Sequence, residues 1–130
     1  KEVLLDELCC YLFHHLFERV GNLTIEEYLT HIFSHFKKNQ DHVTSLLFSK
    51  NDYFLRQLQK ELEHHVYPMV AEDLQVSYPK IPASYLKHFV VSNFIETLTW
   101  WLKKGKSYKE DQVVTFYLDV IEMKSEKKLL

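Results

Sequence analysis

The stretch PASYLKHFVVSNFIETLTWWLKKG, residues 82–105, decides how this chain folds. On a helical wheel at about 100° per residue, Leu86, Val90, Val91, Phe94, Ile95, Leu98, Trp101 and Leu102 fill one half, interrupted by Lys87 and Thr97. A second strip holds Tyr85, Phe89, Asn93, Glu96 and Trp100. The remaining polar wedge, His88, Ser92, Thr99 and Lys103, is narrow. An ordinary surface helix carries one apolar stripe not much wider than a third of its circumference. This segment therefore reads as a helix covered on two sides. Pro82 suits its first turn, and Lys103-Lys104-Gly105 supplies basic last-turn residues and a glycine stop.

The next segment behaves the same way. Ser107 and Glu110 offer a capping box, and Val113, Val114, Phe116, Tyr117, Leu118, Val120, Ile121 and Met123 cover well over half of a helix running to about residue 123. Two successive helices with wide apolar arcs, in a chain of 130 residues, predict an interface between two copies, because large exposed apolar patches mark association. Asn93, Trp100, Val113, Phe116 and Val120 are the residues expected to meet the second copy.

Working upstream, helix follows helix. Leu4, Leu5, Leu8, Leu12, Leu16 and Phe17 recur at helical spacing over residues 1–20, and Gly21-Asn22 stops them. Thr24 and Glu27 form a capping box ahead of Ile25, Tyr28, Leu29, Ile32, Phe33 and Phe36. Asp41 offers a cap to a short helix through Val43, Leu46, Leu47 and Phe48. Asn51-Asp52 opens a longer one with Phe54, Leu55, Leu58, Leu62, Val66 and Met69, which Pro68 must kink or end. Residues 72–81 read as the single extended loop, with Tyr78-Pro79 and Ile81-Pro82 favouring extended backbone. The expectation is an all-α domain of about six helices, an antiparallel bundle.

Composition agrees and excludes a good deal. Glycine occurs twice and proline three times, where average usage would give about 9 and about 6. That speaks against most all-β folds and flexible linkers. There is no Gly-rich phosphate loop. No apolar run approaches the ~18 residues of a membrane span, and no signal peptide is visible. Sixteen Lys and Arg stand against eighteen Asp and Glu, for a net charge of -2. With only Arg19 and Arg56 as arginines and an isoelectric point near 6.5, the chain is a poor match to a direct nucleic-acid binder. Cys9 and Cys10 are adjacent and cannot staple a fold, which predicts a reducing cytoplasm.

Chemistry-bearing motifs are sparse. His31 and His35 stand at i, i+4, a spacing compatible with metal ligation. They lie on the polar face of their helix, where solvated histidine is the ordinary case. Glu61 and His64 form one ExxH, whereas a di-iron bundle needs two plus further inward glutamates. No HExxH and no GxSxG is present. Nothing calls for catalytic residues, a metal or a cofactor. A helical-bundle metal protein or enzyme built on these His and Glu residues is the alternative reading.

The run Tyr85-Leu86-Lys87-His88-Phe89-Val90-Val91-Ser92-Asn93-Phe94-Ile95-Glu96, closing with Trp100-Trp101-Leu102-Lys103-Lys104-Gly105, resembles the penultimate long helix of TetR/AcrR-type transcriptional regulators. More narrowly, it is similar to the C-terminal domain type common in Gram-positive bacteria. There an aromatic helix ends in Trp-Leu-x-x-Gly and a Ser- or Thr-capped last helix follows, as Ser107 does here. Leu4-Leu5-Asp6-Glu7, Tyr28-Leu29-Thr30-His31-Ile32 and Asp52-Tyr53-Phe54-Leu55 stand at corresponding places in the upstream order, and Glu96 departs from the small residue common at its position. The resemblance implies one regulatory domain over residues 1–130. It would form homodimers through its last two helices and sense a small-molecule effector. DNA would be reached only through an N-terminal helix-turn-helix domain that this chain lacks, which would fit helical patterning from Lys1 onward with no cap. On that reading the effector is largely apolar and its pocket is walled by Phe13, Tyr28, Phe54 and Phe89.

Overall fold

The computed structural model describes residues 11, 13, 14, 17, 18, 23–49, 52–104 and 107–122. Six helices are present among them: α1 (Ile25–Lys38), α2 (Gln40–Leu47), α3 (Tyr53–His65), α4 (Tyr67–Ser77), α5 (Ala83–Lys103) and α6 (Glu110–Glu122). No strand occurs among the described residues. The Gly21-Asn22 stop, Cys9-Cys10, Gly105 and most of the expected 1–20 helix lie outside them. Of that helix, residues 11, 13, 14, 17 and 18 are described; the first four are helical and Glu18 is not.

The local signals explain most boundaries. Thr24 caps α1 as its spacing predicts: its hydroxyl accepts from the Glu27 N–H at 3.1 Å, and Glu27 accepts from the Thr24 N–H at 3.0 Å. The stripe Tyr28, Leu29, Ile32, Phe33 and Phe36 is buried. Three expectations are corrected. The cap of α2 is Asn39, not Asp41, and its side chain donates back to the His35 carbonyl instead of capping forward. The last helix begins at Glu110, so Ser107 is too early to cap it, and the Gln112 side chain accepts from the Lys109 N–H at 2.8 Å instead. The expected loop at 72–81 is helical as far as Ser77. The chain breaks at Val66, and Pro68 sits in the first turn of α4, where its missing N–H costs nothing. α4 buries only Tyr67, Val70 and Leu74, too thin a stripe to stand out in the sequence.

α5 is the central element. It packs against α2, α3, α4 and α6, while α1 lies against α6. Burial of Leu86, Val90, Val91, Phe94, Leu98, Trp101 and Leu102 follows from that position. Aromatic rings tie the layers together. Phe33 of α1 stacks on Phe94 of α5 at 5.0 Å and meets Trp101 edge-on at 5.4 Å, and Phe94 meets Tyr117 of α6 edge-on at 5.6 Å. Trp101 Nε1 donates to the Tyr108 carbonyl at 3.0 Å near the turn, and the Tyr117 hydroxyl donates to the Val90 carbonyl at 2.6 Å farther along. These pairings make α5 and α6 an antiparallel hairpin.

The Tyr117 phenol is 2% exposed, and burial pushes its pKa up. The fold thus favours the protonated form. In the unfolded chain the group ionises near the ordinary tyrosine value of about 10, so its contribution is intact below that pH and is lost as pH rises above it. Tyr117→Phe is expected to cost about 0.5–1.5 kcal/mol near neutrality, the net worth of one hydrogen bond. The variant should also lose less stability than the parent above pH about 10. Urea unfolding of both proteins across that range checks the sign.

Candidate functional site: the outer face of the last two helices

Once the core is filled, a strip of apolar side chains remains uncovered on α5 and α6. Trp100 is 40% exposed, Tyr108 39%, Phe116 42% and Val120 53%. Three of the rings form their own cluster: Trp100 to Tyr108 at 5.7 Å, Tyr108 to Phe116 at 5.2 Å and Trp100 to Phe116 at 6.5 Å. Between the two helices runs a groove of about 390 Å³ lined by Asn93, Glu96, Thr97, Trp100, Phe116, Tyr117 and Val120. The strip exists because helical periodicity points Trp101 inward and Trp100 outward. Asn93 is anchored to its own helix through Nδ2, which donates to the Phe89 carbonyl at 2.9 Å.

Of the residues expected to meet a second copy, Asn93, Trp100, Phe116 and Val120 line this groove together. Val113 does not. It is 0% exposed and belongs to the core with Val114, Tyr117, Leu118 and Ile121. The wide apolar arc of α6 is thus used mostly inside the domain, because α1 and α5 both pack on that helix. Tyr108, in the turn before α6, joins the strip, and a turn residue has no periodicity by which to find it.

The expected pocket residues fall in two places. Phe13, Tyr28 and Phe54 are buried in the core. Phe13 stacks on Phe54 at 5.4 Å, and the Tyr28 hydroxyl donates to the Phe17 carbonyl at 2.9 Å. Phe89 instead borders a separate small cleft with Leu74, Tyr78, Ile81, Tyr85, Leu86 and Ile121.

The histidines do not assemble a metal centre among the described residues, where no three His, Cys, Asp or Glu side chains come together. His31 and His35 meet ring to ring at 4.4 Å on one turn of α1. Glu61 faces His65 at 3.2 Å, one residue past the ExxH spacing, and the His65 ring stacks on Phe17 at 5.2 Å. No described helix is long and apolar enough to cross a membrane.

The fold is an all-α domain with a buried aromatic core and an uncovered apolar strip on its final hairpin. The comparisons identify its class. A family model described as a transcriptional regulator C-terminal region matches residues 23–123. The structure is similar to that of a TetR transcriptional regulator from Streptococcus agalactiae 2603V, with 46% identity and a TM-score of 0.79 over 93% of this chain and 68% of that one. No match was found among curated proteins. The chain belongs to the TetR family of transcriptional regulators and corresponds to their C-terminal domain. Regulators of this kind are normally not enzymes.

Proposed function

We propose that this domain holds a TetR-type regulator together as a homodimer and senses a small molecule, while DNA is contacted by a helix-turn-helix domain outside these 130 residues. The observation that carries the reading is the exposed strip of Trp100, Tyr108, Phe116 and Val120 on one hairpin. Packing α5 and α6 against their copies would make a four-helix interface with Asn93 at its edge. A net charge of -2 and two arginines leave little to neutralise phosphates, which supports a domain that does not bind DNA itself. The matched regulator extends beyond the aligned 68%, leaving room there for a DNA-reading head. Paired heads fit operator half-sites only at the right spacing. An effector that binds one spacing more tightly shifts the population toward it. Such a regulator works in the cytoplasm, where its DNA is.

Sedimentation equilibrium tests the dimer. The unmodified chain is expected to be dimeric at concentrations on the order of tens of micromolar, as a standard-size interface would be. Phe116→Glu combined with Val120→Glu is expected to give folded monomer, since both side chains are already solvent-facing within one copy. A monomeric parent chain at that concentration would refute the proposal.

A further inference from the structure

A small cleft lies between the end of α4, the loop that follows it, the start of α5 and the end of α6. Its floor is apolar and buried: Leu74 is 2% exposed, Leu86 3% and Ile121 1%. Phe89 and Ile81 form half-buried walls, and Tyr85 stands at the mouth, 57% exposed. No charged side chain lines it. The loop wall is held in place. Gln75 Nε2 donates to the Ile81 carbonyl at 3.1 Å and to the Tyr78 carbonyl at 3.4 Å, the Ile81 N–H donates to the Tyr78 carbonyl at 3.1 Å, and Pro79 and Pro82 bracket the turn. The cleft is therefore built before any ligand arrives.

Size and lining define what fits. The volume is about 120 Å³, and an apolar cavity of about 150 Å³ holds one benzene ring. A drug-sized ligand needs roughly 300 Å³ or more. A charged group would enter with no opposite charge on the lining to offset the loss of its water. The wide trough beside Glu63, Glu72 and Lys87, about 650 Å³, is more open to solvent and brings three charged side chains to its lining. We infer that the cleft at Leu74, Ile81, Leu86, Phe89 and Ile121 binds a neutral, single-ring apolar molecule, with any small polar substituent directed outward past Tyr85. This deepens the sensing role proposed above and rests on it. Phe89 and Ile121 lie on the two helices that also carry the exposed strip.

The probes are fluorobenzene and, as a two-ring comparator, fluoronaphthalene, each titrated into the chain and followed by fluorine NMR. Fluorobenzene is expected to bind saturably in the millimolar range and fluoronaphthalene not to. Ile81→Trp fills the cleft from the loop and is expected to weaken fluorobenzene by at least about tenfold. Phe89→Ala widens one wall and is expected to admit fluoronaphthalene, so the assignment stays testable should the tryptophan variant fail to fold. No saturable binding of fluorobenzene to the parent chain, or binding untouched by both variants, overturns the cleft. A thermal-shift screen with apolar compounds of one ring and of several rings separates the two readings. A response to the larger compounds with none to the single-ring ones sinks the cleft and spares the sensing role, and no response to any compound removes both.

Discussion

Trp101→Ala is expected to destabilise the domain by about 3–5 kcal/mol, the usual cost of truncating a large aromatic side chain in a core. Trp101 is 2% exposed and lies edge-on to Phe33 at 5.4 Å. Its Nε1 also donates to the Tyr108 carbonyl, fastening the turn that delivers α6. The truncation leaves a cavity where α1 and α5 meet and frees that carbonyl at once. The neighbouring Trp100→Ala is the control: Trp100 is 40% exposed, so its removal should barely move single-copy stability while weakening association. Chemical denaturation of both variants, with the Phe116→Glu, Val120→Glu background keeping them monomeric, separates the two tryptophans. Equal losses from Trp100 and Trp101 would contradict the assignment of one to the core and the other to the surface.

The second large effect concerns Val113. Its side chain is 0% exposed within one copy, so Val113→Glu must either bury a carboxylate without a partner or protonate it, at a cost of several kcal/mol. Domains of this kind hold only about 5–15 kcal/mol in total. The variant is expected to be largely unfolded by far-UV circular dichroism, whereas Phe116→Glu keeps native helicity. Substitutions three residues apart on one helix then have different consequences, loss of fold against loss of dimer. A folded, monomeric Val113→Glu protein would mean that the partner-facing surface of α6 reaches round from Val120 to Val113, which lies only about 20° away on the helix.

Much of this was legible in the residues. The α1 stripe and its Thr24–Glu27 box are purely local: a hydroxyl and a carboxylate three residues apart must meet once the backbone turns into a helix, and they do. The inward set on α5 was legible for the same reason, since helical spacing alone groups Val90, Phe94, Leu98 and Trp101. The α4 boundary was harder. Its three buried residues give little periodic signal, and two nearby proline pairs read as loop. The caps of α2 and α6 depend on backbone geometry at Asn39 and Lys109 that several polar neighbours could equally have adopted.

The sequence by itself determined the helical class, the long central helix and the presence of more apolar surface on the last hairpin than a surface helix needs. Those properties follow from side-chain period and composition. Only the tertiary structure decided how that surface is divided. Because α1 and α5 both pack on α6, Val113 is spent inside the domain, while Phe116 and Val120 stay outside to join Trp100 and Tyr108. The cleft beside Phe89 is likewise a product of packing: its walls come from α4, the following loop, α5 and α6, and no periodicity within one segment can show where segments distant in the chain leave a gap.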